Sequence, residues 1–125
     1  MTGIETEISG NHKATELFEM GKLKGEIGDF QASIEKLEAA AILYSESRDH
    51  RQFIKCLTLC LRMYAEMEDL AALQAVKDRL YDYVTREKID LNSTTYYTLA
   101  LVCSYRGEYA QALEYLEKAL ALALV

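Results

Sequence analysis

Apolar residues recur along the chain at intervals of three and four, the spacing that lines one side of an α-helix. No stretch sustains the period-two alternation of a strand between turn dipeptides such as Asn-Gly or Asp-Gly. The pattern predicts six helices, at about Ala14–Ile27, Phe30–Ser47, Asp49–Met67, Leu70–Glu87, Thr94–Arg106 and Tyr109–Leu124. Start and stop signals agree with these bounds. Asp49 with Gln52 makes a capping box, Asn92 or Ser93 can cap the fifth helix, and Gly28 and Gly107 suit left-handed helix ends. Residues 1–13 are polar, contain Gly3 and Gly10 and show no period, so they read as a flexible lead-in to a repeat domain over 14–125.

The third predicted helix is the most informative. At 100° per residue, Arg51, Lys55, Thr58 and Arg62 fall within about 60° of one another. Phe53, Ile54, Leu57, Leu59, Cys60, Leu61, Met63, Tyr64 and Met67 take most of the remaining circumference. A helix that is apolar on most sides must be covered on most sides, which places it mid-stack with a basic stripe left to solvent.

An internal repeat organises the six helices. Gly28-Asp29-Phe30 is echoed by Glu68-Asp69-Leu70 and again by Gly107-Glu108-Tyr109, at spacings of 40 and 39 residues. Each echo lies between two helical stretches, so the chain divides into helix-pair units at about 14–47, 48–88 and 92–125.

Composition narrows the class. With 125 residues, 50% hydrophobic, the chain suits one domain, and it has no Pro where average usage gives about six. The formal charge of −6 argues against a nucleic-acid partner. No apolar run is long enough for a bilayer, and Met1 to Glu7 lack the layout of a secretory signal. Three cysteines do not make a disulfide framework, which favours a reducing, cytoplasmic setting.

The last helix pair resembles the tetratricopeptide repeat. Tyr96, Leu99, Ala100, Gly107, Glu108, Tyr109, Ala112, Leu116 and Ala119 fill that family's pattern in order. Small residues let the helices approach and large ones fill the gaps between them. The first unit is similar through Leu17, Met20, Gly21, Gly28, Asp29, Phe30, Ser33, Leu37 and Ala40, departing at Lys24. The middle unit matches least, with Cys60-Leu61 in place of Leu then a small residue and no turn glycine. A period near 40 residues resembles the family's longer variants. The resemblance implies an all-α fold, a right-handed superhelical solenoid of three stacked antiparallel helix pairs. It also implies a scaffold rather than an enzyme, with a concave groove that receives a peptide or protein segment.

Carried onto this chain, the groove would hold Phe18 and Lys22 from the first unit, Lys55, Thr58 and Arg62 from the second, and Tyr97, Leu101 and Tyr105 from the third. Its cations favour an acidic segment with apolar neighbours; the plain alternative is a solvated basic strip. The carboxylate clamp of chaperone-tail adaptors is mostly missing, since Phe18, Lys22, Thr94 and Thr98 stand at its positions. A second surface is expected on the last helix, where Tyr109, Leu113, Leu116, Leu120 and Leu124 share an apolar face, widened by Ala112, Tyr115, Ala119 and Leu122. Such a face calls for self-association, a partner protein, or a longer chain that covers it. A sensory or oligomerising region of a larger regulatory protein, or a structural homo-oligomer, are the alternatives to a groove-binding module.

Chemistry is sparse. Cys56 and Cys60 share a helix face but sit in its apolar arc, and Cys103 takes a core position, so all three read as packing residues and no metal is expected. No phosphate loop, nucleophile elbow or His-Glu-x-x-His motif occurs, and no cofactor is expected. Of nine tyrosines, Tyr97 and Tyr105 project to the groove, whereas Tyr44, Tyr64, Tyr81, Tyr83, Tyr96, Tyr109 and Tyr115 are assigned to packing between helix pairs.

Overall fold

The computed structural model describes residues 3–124, with side chains from 11 to 124. Among the described residues six helices run in order: α1 (Gly3–Glu26), α2 (Phe30–Glu46), α3 (His50–Glu66), α4 (Leu70–Glu87), α5 (Ser93–Tyr105) and α6 (Tyr109–Ala123). The predicted ends agree to within two residues, apart from one. The stretch read as a lead-in continues α1 back to Gly3, while Met1 and Thr2 lie outside the described residues. No proline interrupts it, and Thr15 Oγ1 bonds the Asn11 carbonyl at 2.9 Å and the Tyr44 hydroxyl at 3.2 Å, tying α1 to the end of α2.

The turns reuse one local solution. Asp29, Asp49, Asp69, Ile89 and Glu108 each donate their N–H to a carbonyl five residues back, at 2.9–3.0 Å. In each, the preceding residue (Gly28, Arg48, Glu68, Lys88 or Gly107) has a positive φ, the Schellman geometry that closes a helix end. Three of the acids then start the next helix. Asp29, Asp49 and Asp69 accept from the backbone N–H groups of Ala32, Gln52 and Ala72 at 3.3, 3.3 and 3.1 Å. Asn92 caps α5 in the same way, from Thr95 N–H at 2.8 Å.

The helices pair as α1–α2, α3–α4 and α5–α6 and stack as a helical-repeat solenoid. Small residues set the closest crossing. Ser33 of α2 is fully buried against α1, its Oγ donating to the Gly21 carbonyl at 2.6 Å. Helix α3 sits between α2, α4 and α5 and touches α1, and Cys56, Leu57, Cys60 and Leu61 on it are wholly buried. It pairs less closely with α4 than α1 does with α2, because Cys60-Leu61 and Leu73 are bulkier than Gly21 and Ser33.

Curvature follows from which helices meet. The first helices of each pair make direct backbone approaches, α1 to α3 and α3 to α5. The second helices stand apart and are bridged by long side chains. Arg79 of α4 reaches Glu38 of α2 at 3.0 Å, and the Tyr81 and Tyr115 hydroxyls join α4 to α6. The side formed by α1, α3 and α5 is therefore the inner one.

Candidate functional site

Four cations stand on the inner side: Lys22 of α1, and Arg51, Lys55 and Arg62 of α3, all exposed. They follow the helical stripe expected from their spacing, and α3 holds three of them in line. At 1.5 Å per residue, Arg51 to Lys55 is about 6 Å of rise and Lys55 to Arg62 about 10 Å. Among the described residues none of the four has a carboxylate within ion-pair distance. The arginines elsewhere do. Arg79 meets Glu38 at 3.0 Å, Arg106 meets Glu108 at 3.0 Å, and Arg48 meets Glu87 at 3.5 Å. Lys13, Lys24, Lys36, Lys77, Lys88 and Lys118 also lack an ion-pair partner among the described residues, so what distinguishes the inner face is that its cations are aligned beside two clefts.

Two clefts open between these cations. One, of about 220 Å³, lies between α1 and α3 with Lys22 and Arg62 at its mouth and Gly25, Ser33 and Met63 in its walls; Glu26 is the one carboxylate lining it. The other, of about 180 Å³, lies between α3 and the start of α5, lined by Arg51, Lys55, Asn92 and Thr94.

The remaining groove residues are placed differently. Phe18 is not open to a ligand: it is buried in the core, and Lys55 Nζ lies 5.3 Å from its ring centre. Thr58 is buried as well, its hydroxyl donating to the Ile54 carbonyl at 2.7 Å and facing Thr95 Oγ1 at 3.5 Å. Phe18 and Thr58 occupy equivalent repeat positions: Phe18 is buried toward the next helix pair, whereas Thr58, though buried, is in the lining of the second cleft with its hydroxyl facing α5. Tyr97 is the third equivalent. It and Leu101 line a cavity of about 440 Å³ with Tyr109, Ala112, Leu113 and Leu116, between α5 and α6. Tyr105 is exposed and lines none of these cavities. Arg51, Asn92 and Thr94, absent from the groove set read from sequence, do line the inner clefts. Arg51 belonged to the basic stripe in the periodicity, and only carry-over from the repeat pattern left it out.

Leu113, Leu116 and Leu120 on α6 and Leu124 at its C-cap are exposed, as is Tyr109. Tyr109 is therefore not a packing residue. Ala112, Tyr115 and Ala119 turn inward instead, with Tyr115 stacked on Tyr96 at 6.1 Å.

The cysteines are free and fully buried. Burial pushes the Cys56 thiol up to about 12, with Glu38 adding to the effect, and raises Cys60 and Cys103 as well. Such thiols are poor nucleophiles and poor metal ligands. Among the described residues no group of His, Cys, Asp and Glu could hold a metal, and no helix is long and apolar enough to cross a membrane.

Residues 93–123, which are α5 and α6, match the family model described as tetratricopeptide repeat. That repeat is a protein–protein interaction module of scaffold type. No curated protein and no solved structure matches the chain.

Proposed function

Because the chain carries a tetratricopeptide repeat in a stack of three helix pairs, we propose that its inner face binds an acidic segment of another protein, in the cytoplasm and without catalysis. One observation carries this reading: Lys22, Arg51, Lys55 and Arg62 line two clefts on one side of the stack, with no carboxylate partner among the described residues. Exposed cations left unpaired in a chain of charge −6 keep a positive field where an anionic ligand is steered and repelled elsewhere. The spacing along α3 defines the ligand further. An extended chain rises about 3.3 Å per residue and turns every second side chain to the same face, so carboxylates at successive alternate positions would meet Arg51 and Lys55 and come within side-chain reach of Arg62. The cleft beside Met63 would accept an apolar side chain at the end nearer Lys22. The buried thiols suit a reducing compartment.

Fluorescence anisotropy with a labelled decapeptide of the pattern Glu-x-Glu-x-Glu-x-Leu tests this. Micromolar binding is expected, weakening steeply between 50 and 500 mM salt as screening tightens to a few ångströms. The Lys55→Glu, Arg62→Glu double variant should bind at least tenfold more weakly with its helicity unchanged. Equal affinity of variant and wild type, or binding indifferent to salt, would refute the reading.

A further inference from the structure

The unfilled face of the third helix pair has a filled counterpart in the same molecule. Placing Gly28 on Gly107 pairs Phe18 with Tyr97, Leu37 with Leu116 and Ala41 with Leu120. In the first pair these side chains are 4%, 0% and 0% exposed; in the third they are 52%, 40% and 60% exposed. What covers the first set is α3, whose Leu59 and Met63 enter the space beside Gly25, Ser33 and Leu37. The same space between α5 and α6 stands open as two adjoining grooves of about 390 and 440 Å³. Its shape is that of a seat for an amphipathic helix.

We propose that this seat is filled by the same face of a second copy of the chain, in a two-fold dimer. Two features select this occupant. The face carries ridge as well as groove: Leu113, Leu120 and Leu124 project from α6 beside the groove floored by Leu116, so a two-fold axis sets each ridge into the other copy's groove. Its six large apolar residues, Tyr97, Tyr109 and the four leucines, present on the order of 700 Å² at ordinary side-chain sizes. That is close to the ~800 Å² per partner of a standard specific interface and above what a monomer usually shows in one patch.

Head-to-tail stacking is the competing geometry, and α1 is unsuited to it. Forty residues before Leu59 and Met63, α1 has Glu19 and Leu23, and before Cys56 it has Glu16. Both glutamates are exposed, and seating them in the groove would strip water from two carboxylates with no cation lining that groove.

Sedimentation equilibrium of the full chain across a hundredfold concentration range tests the proposal. The expected mass rises to twice the 14.2 kDa of one chain and stops there. Leu116→Glu with Leu120→Glu should give a monomer of unchanged helicity at every concentration, the two positions being exposed in one copy. Should that variant unfold, the single Leu113→Ser change keeps the test, with at least a tenfold weaker dimer expected. Leu23→Glu and Lys55→Glu should leave the dimer intact. A wild-type monomer at the highest concentration, a mass that keeps climbing, or dissociation by Leu23→Glu would overturn it.

Discussion

The crossing of α1 on α2 makes a sharp energetic prediction from two neighbouring glycines. A Cβ placed on Gly21 would lie 2.9 Å from Leu37 Cγ and 3.1 Å from the Ser33 carbonyl oxygen. Neither can yield cheaply, since Leu37 is fully buried at its branch point and the carbonyl belongs to the backbone of α2. A Cβ on Gly25 meets instead the Met63 thioether end and the Ser33 hydroxyl, at 3.1 Å each. A methionine tip can rotate away toward the adjoining cleft. Alanine gains about 1 kcal/mol over glycine inside a helix, and overpacking a close contact costs about 1–3 kcal/mol. With unyielding neighbours the upper part of that cost applies, about 2–3 kcal/mol, so Gly21→Ala should lower stability by about 1–2 kcal/mol; Gly25→Ala, where the methionine tip yields and only the Ser33 hydroxyl is fixed, should change it by less than about 1 kcal/mol. Urea unfolding followed by circular dichroism at 222 nm resolves the difference, with equal m-values expected. If Gly21→Ala proves as stable as wild type, the two helices do not approach as closely as described.

Glu68 holds a φ of 56° where Gly28 and Gly107 hold 87° and 76°, so Glu68→Gly should raise stability by about 0.5–1 kcal/mol in thermal melts; a lower melting temperature would count against strain at that turn. The cysteines predict an alkaline limit. Below pH 9 the Cys56 thiol is neutral in both folded and unfolded chains and its burial costs nothing electrostatic; above pH 9 the unfolded chain releases the proton and the folded one does not until about pH 12. Stability should then fall by about 1.4 kcal/mol per pH unit for each such thiol, and Cys56→Ala should flatten the slope of urea midpoint against pH between 9 and 11. A midpoint unchanged up to pH 10.5 would contradict the burial.

The fold was largely legible because each of its controls is local. Helix ends lie where Gly28, Gly107, Asp49 and Asn92 announced them, since a Schellman turn and a side-chain cap need only a few adjacent residues. The central position of α3 followed from its nearly all-round apolar surface. A finer signal went unused. Asp29, Asp49 and Asp69 recur every 20 residues, and each both closes one helix and opens the next. Reading only the turns inside each unit missed that Arg48-Asp49 between units obeys the same rule. The start of α1 was missed for another reason: residues 3–13 carry no apolar period, and period is a record of burial rather than of helicity.

The site was legible where charge alone decides and not where the next helix pair intervenes. Lys22, Lys55 and Arg62 stay exposed because no packing position in a crowded core accepts an unpaired cation. Phe18, Thr58 and Tyr97 were grouped with them on one repeat position, yet whether that position is open depends on what stacks above it. For Phe18 and Thr58 the neighbour is α3 or α5; for Tyr97 the described residues supply none. The residue types already record the difference. Thr58 has a hydroxyl that the Ile54 carbonyl satisfies once α5 seals the contact, and Phe18 has a ring for Lys55 to cover. Tyr97 is half exposed, and a tyrosine has an apolar body and a polar tip, as suits a contact made between molecules rather than within one. The two faces are therefore separable: charge reversal on α3 should abolish peptide binding and spare the dimer, and Leu116→Glu with Leu120→Glu should do the opposite.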